Sequence, residues 1–145
     1  MKIWDVVNRT NVHTFEPIAS GAASTAIAFS ENGFYCATAD SQAHVSIWDL
    51  RKLKSIKTLS PAECAAVAAT GVASLDFDFS GSYLAIGSGS GSVRVLGTKE
   101  WNVVATWSGD GAEITGVKFG AHAAYVASTS TDRLLRFYGP DSMQS

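Results

Sequence analysis

Charge, cysteine and long apolar runs are all scarce in this chain. Only 17% of its 145 residues are charged, against roughly 25% in an average soluble domain. A disordered tail needs the opposite balance, high charge with few aromatics, and here 46% of residues are hydrophobic and 10% aromatic. The formal net charge of −2 lacks the basic excess of proteins that bind nucleic acid through phosphate contacts. Two cysteines, Cys36 and Cys64, cannot build a disulfide scaffold, and their scarcity fits a reducing compartment. No apolar run approaches the roughly 20 residues of a membrane helix, and the start at Met1–Asp5 has no apolar stretch of signal-peptide type. A soluble protein of the cytoplasm or nucleus, with no membrane partner, is expected. Thirteen glycines and three prolines are ordinary numbers and exclude collagen-like and low-complexity chains.

What the chain does have is a repeat. Ile-Trp-Asp occurs at Ile3–Asp5 and again at Ile47–Asp49. Phe29 and Tyr35 precede Trp48 at the same offsets by which Phe77 and Tyr83 precede Leu96, and Phe119 and Tyr125 precede Tyr138. Ala37, Ala85 and Ala127 each follow the tyrosine by two. Within each copy apolar residues alternate with small or polar ones, the period of a strand, and Gly-, Asn- and Ser-rich turns separate the strands. Four short strands in each copy, one closing on Trp-Asp, are the sequence cue for a propeller blade. The spacing predicts an outer strand at 1–5, blades at 12–49, 55–97 and 102–139, an Ala-rich insertion at 61–70 and a tail at 140–145. The chain resembles the WD-repeat family from Ile3 to about Gly139. The expected fold is all-β, a partial propeller of about three four-stranded antiparallel blades plus one strand.

The repeats are degenerate. The Gly-His dipeptide of the family is missing, and Trp-Asp becomes Leu96-Gly97 and Tyr138-Gly139 in the last two copies. The turn aspartate six residues before the Trp survives only as Asp132, with Gln42 and Ser90 elsewhere. The resemblance implies that Asp132 stabilises its blade through a hydrogen-bond network, and that the other blades rely on apolar packing. The regular offsets predict a shared inter-blade core of Trp4, Trp48, Phe29, Phe77, Phe119, Tyr35, Tyr83, Tyr125 and Tyr138. Three blades do not close a ring, since propellers need 4 to 8, so a longer propeller is expected to contain this segment.

Some stretches are more specific: Phe29-Ser-Glu-Asn-Gly-Phe-Tyr35, Trp48-Asp-Leu-Arg-Lys-Leu-Lys54, Phe79-Ser-Gly-Ser-Tyr-Leu84, Glu100-Trp-Asn-Val-Val104, Val117-Lys-Phe-Gly120 and Asp132-Arg-Leu-Leu-Arg-Phe-Tyr-Gly139. In this order they resemble the C-terminal WD repeats of the pre-mRNA-processing factor 19 family, with a plant or algal flavour. That resemblance implies a nuclear ubiquitin–protein ligase acting in spliceosome activation and DNA repair. It implies an N-terminal U-box, a coiled coil that tetramerises, and a propeller that recruits splicing-complex subunits and ubiquitination substrates. Residues 1–145 contain nothing like a U-box and no heptad run, so a recognition surface without ligase activity is expected of this chain. A generic WD-repeat scaffold of another complex stays open as the alternative.

Chemistry-bearing constellations are absent from the sequence. His13, His44 and His122 have no partner at metal-ligand spacing. Cys36 takes a strand position occupied by Leu84 and Val126 in the other copies and reads as a small hydrophobe. Cys64 falls in the insertion, open to solvent exposure. Gly87–Ser92 has no lysine after its glycines and leads into a strand, so it reads as a hairpin rather than a phosphate loop. No catalytic residue, metal or cofactor is expected. The candidate partner-binding rim is Arg51, Lys52 and Lys54 after Trp-Asp, Glu31 and Asn32 in a turn at the same end, and Lys99 and Glu100 one blade on. An acidic segment of a partner protein, or indirectly RNA phosphate in an assembly, is the expected contact.

Overall fold

The structure is a computed structural model, and it describes residues 1–16, 21–64, 70–109 and 111–139. The expected tail at 140–145 and residues 65–69 of the insertion lie outside the described residues.

Thirteen strands occupy the described residues, arranged in four antiparallel meanders. The first sheet pairs β1 (Lys2–Asp5) with β2 (Thr10–Thr14). The second runs β3 (Ser24–Phe29), β4 (Tyr35–Asp40), β5 (Val45–Asp49), β6 (Lys54–Leu59). The third runs β7 (Val72–Phe77), β8 (Tyr83–Ser88), β9 (Ser92–Gly97), β10 (Asn102–Ser108). The last has three strands, β11 (Ile114–Phe119), β12 (Val126–Ser130) and β13 (Leu135–Tyr138). This is a partial all-β propeller.

The sheets are offset from the repeats read in the sequence. Lys54–Leu59 was expected to open a blade with the strands after it, but β6 pairs with β5, and β10 likewise pairs with β9. The reason is local closure: a short turn joins β5 to β6, whereas a long connection separates β6 from β7. The hydrogen-bonded sheets therefore cover 24–59, 72–108 and 114–138, offset from the sequence repeats, and β1–β2 form a separate two-stranded sheet ahead of them.

Strand alternation gives each blade two apolar faces. One core cluster joins Ala37, Val45, Ile47 and Leu59 of the second sheet to Leu75, Phe77, Leu84 and Leu96 of the third. Another joins Val93 and Val95 of the third to Ile114, Val117 and Val126 of the last. The sheets approach closely there: a side-chain carbon on Gly87 would stand 2.7 Å from Ile114 Cγ2 and 2.8 Å from Val117 Cγ1. Innermost strands are also tied by side-chain bonds. Thr25 Oγ1 donates to the Val72 carbonyl at 2.8 Å, and the Phe119 amide donates to Asp76 Oδ2 at 2.8 Å.

Burial divides the predicted aromatic core. Trp48 and Phe77 are buried, and Tyr35, Phe119 and Tyr138 pack at the margins of clusters. Trp4 is 57% exposed, Phe29 52%, Tyr125 43% and Tyr83 39%, so these four are not core here. The cause lies in which face each position takes. The Phe29/Phe77/Phe119 and Trp4/Trp48 positions look toward the preceding sheet. Among the described residues only β1–β2 stand before β3, and these cover Cys36 and Trp48 through Ile3, Met1 and Phe15 instead. The Tyr35/Tyr83/Tyr125 position looks toward the following sheet, and nothing described follows the last one.

Polar locks are present in every blade, which corrects the expectation that only Asp132 supplies one. In the last sheet Asp132 accepts from the Leu134 amide, from Ser130 Oγ and from the Arg136 guanidinium. In the second sheet Asp40, two positions earlier in register, accepts from the Gln42 and His44 amides at 2.9 and 3.0 Å. In the third sheet Ser88, Ser90 and Ser92 form a hydroxyl ladder. The lock moves along the turn, so a search for Asp at one fixed offset misses it.

Candidate protein-interaction face

The β3–β4 and β5–β6 turns meet at one end of the second sheet, because the Leu50 amide donates to the Phe34 carbonyl at 2.9 Å. The third sheet repeats the arrangement, with the Thr98 amide on the Ser82 carbonyl at 2.9 Å. Asn32 joins the two ends: its Nδ2 donates to the Ser80 carbonyl at 3.2 Å, while its Oδ1 receives Ser30 Oγ and the Phe34 amide. Gly81 at φ +72° lies directly under Asn32, where a Cβ would collide with the amide group. Asn32 thus links the two ends while remaining exposed.

Asp49, the aspartate of Trp-Asp, organises the β5–β6 turn. It is 4% exposed and accepts the Arg51 and Lys52 amides at 2.9 and 3.2 Å. Arg51 closes on it with Nε at 3.2 Å and a terminal nitrogen at 2.9 Å, a two-point pair of the kind arginine geometry favours. The Arg51 side chain, helped by the two amides, holds the Asp49 carboxyl at about 2. The guanidinium also lies 4.4 Å from the centre of the Phe34 ring. Arg51 thus presents a guanidinium already satisfied on one edge, stacked on an aromatic ring.

The other rim candidates are placed as follows. Lys52, Lys99, Glu100 and Glu31 are exposed in these turns, and Lys54 is exposed at the first residue of β6. Lys57 turns away from the rim, with Nζ 3.2 Å from the Trp101 carbonyl and 3.6 Å from Glu63. Asp132 and its partners form the β12–β13 turn, away from these residues.

The sequence reading missed the apolar members of this face. Phe79 is 77% exposed and Phe34 42%, both in β-turns of this end. The corresponding β1–β2 turn carries Val6 at 88% and Val7 at 89%, shaped by Asp5, which accepts the Val7 and Asn8 amides at 2.8 and 2.9 Å. Large apolar side chains gathered at turn tips mark interaction surfaces more often than core. A signal was available: Phe79 stands two past Phe77, where the sister copies carry Glu31 and Ala121.

The cysteines are enclosed. Both Cys36 and Cys64 are buried, and burial pushes each thiol up to about 12. Cys64 is thus enclosed, not exposed. Among the described residues no cluster of His, Cys, Asp or Glu has the makings of a metal site.

Three segments, 9–49, 54–95 and 101–139, match the family model described as "WD domain, G-beta repeat". The chain belongs to the WD-repeat family. It is 46% identical over 144 residues to pre-mRNA-processing factor 19 of Oryza sativa subsp. japonica, covering 96% of this chain and 26% of that protein. It is 42% identical over 146 residues to pre-mRNA-processing factor 19 homolog 2 of Arabidopsis thaliana, with 96% and 25% covered. The human pre-mRNA-processing factor 19 is 46% identical over 138 residues, with 95% and 26% covered. The chain spans about a quarter of the length of these curated relatives.

Proposed function

We infer that this chain is the partner-binding WD-repeat portion of a pre-mRNA-processing factor 19, working in the nucleus within a ubiquitin ligase that acts in splicing and DNA repair. In that role it recruits splicing-complex subunits and ubiquitination substrates, and does no chemistry itself. The supporting observation is the 46% identity over 96% of the chain to a protein of that name. The local geometry suits the role, because the turn end carries exposed Phe34, Phe79, Lys52 and Lys99 on a rigid β-framework. Any tetramer, and any contact with RNA, belongs to the larger assembly. The test is affinity capture from nuclear extract with the chain and with Phe79→Asp/Lys52→Glu. Splicing proteins retained by the parent and lost by the variant support the reading. Equal capture by both removes this face from the interaction.

A further inference from the structure

The exposed charges of this chain are sorted by end. At the end that carries Phe34 and Phe79, the turns of the second and third sheets expose Arg51, Lys52, Lys54 and Lys99 against Glu31 and Glu100. The aspartates of the same turns, Asp49 and Asp78, are only 4% and 3% exposed. Asp49 is engaged by Arg51 and two amides, and Asp78 accepts the Ser80 and Tyr83 amides at 3.1 and 2.7 Å. Both carboxylates are thus withdrawn from the surface, which is left with an excess of cations. At the opposite end the exposed charged residues, among those described, are Glu16, Glu63, Glu113, Asp132 and Arg133. The formal net charge of −2 hides this separation.

The cations sit beside rings. The Arg51 guanidinium lies over Phe34 with its side chain 50% exposed, and Lys52 follows it. One sheet on, Phe79 stands bare, and Lys99 follows Thr98, whose hydroxyl donates to the Gly81 carbonyl at 2.8 Å. The Asn32–Ser80 bond joins the two turns, so ring and lysine recur once per sheet across one continuous patch. Backbone bonds already fix these turns, and docking orders only the side chains of the rim. Two exposed rings call for an apolar side chain from whatever binds, and the lysines call for negative charge on either side of it. Glu31 and Glu100 interrupt the cations and break the positive track that a phosphate backbone follows. Carboxylates on a peptide can be spaced to avoid them.

We propose that this end binds an extended acidic segment of a protein partner, with one apolar anchor residue seated on Phe34 and Phe79 and flanking carboxylates held by Lys52 and Lys99. This rests on the reading of the chain as a partner-binding module and names the chemistry its turn face selects.

The test is fluorescence anisotropy of a labelled peptide, Asp-Glu-Asp-Phe-Glu-Asp-Glu, titrated with the 145-residue chain. Saturable binding that weakens as salt rises is expected. Serine in place of the peptide's phenylalanine is expected to weaken it about tenfold, as is Phe79→Ala in the protein. Lys52→Glu/Lys99→Glu is expected to weaken it about tenfold or more. Arg133→Glu reverses a charge at the opposite end and is expected to leave it within about twofold. These positions are exposed, and unchanged melting curves confirm that the variants fold. No saturable binding, an equal loss in Arg133→Glu, or tighter binding of a uridine oligonucleotide of the same length overturns the proposal. Loss of nuclear-extract capture in Phe79→Asp/Lys52→Glu with no peptide binding by the parent overturns the acidic segment and leaves the wider reading standing. Peptide binding as expected, with capture equal in parent and variant, supports the acidic segment and counts against the wider reading.

Discussion

Asp49 shows how one side chain of the repeat signature is used. Its carboxylate is buried under Arg51 and two turn amides and is held at about 2, below the ordinary aspartate value of about 3.9. A depressed carboxyl stabilises the fold above its unfolded value and loses that contribution as pH falls through the folded one. Asp49→Asn is therefore expected to melt below the parent at pH 7, with the gap closing between about pH 4 and pH 2. Melting curves across that range check it, and a gap independent of pH contradicts it. Gly81→Ala forces a Cβ at φ +72° into the Asn32 amide and is expected to cost more than about 1 kcal/mol. Asn32→Ala in the same background should recover part of the loss, since it clears the collision. Trp48 is 6% exposed, and its indole donates to Thr38 Oγ1 at 2.9 Å. Trp48→Ala is expected to cost about 3–5 kcal/mol by denaturant titration. The two thiols, enclosed and pushed up to about 12, should resist a thiol reagent in the folded protein and react once guanidinium unfolds it.

At the scale of the element, strands and turns were legible because alternation and turn chemistry are local. The copies aligned through Phe, Tyr and Ala at fixed offsets yield strands where they were expected. Strand grouping was less legible, since β6 and β10 belong by hydrogen bonding to the sheet before them while their sequences abut the copy after them. The polar locks were half legible. Asp132 stood at the family offset, but Asp40 does the same work two residues earlier, and the third sheet substitutes Ser88, Ser90 and Ser92. Asp40→Ala is expected to loosen the β4–β5 turn, exposing the Gln42 and His44 amides to faster hydrogen exchange than in the parent. Unchanged exchange there contradicts the lock. At the rim, sequence reasoning found charge and missed Phe79, because turn residues were weighed for their charge and not for their unexplained apolar bulk.

For the whole molecule, which aromatics are covered depends on what stands beside each sheet. Phe77 is buried because a full sheet precedes it, and Phe29, its repeat equivalent, is half bare because among the described residues only β1–β2 precede it. Leu135 and Phe137 are likewise 57% and 60% exposed on the far face of the last sheet. Such surface is tolerated when further propeller sheets cover it. The most direct measurement is the identity of the native polypeptide that carries this segment, by immunoprecipitation and tryptic mass spectrometry. A chain several times larger than 15.2 kDa, with U-box peptides in it and splicing proteins alongside, is the expected result. A native chain of 15.2 kDa without splicing proteins would contradict the assignment to a splicing ubiquitin ligase.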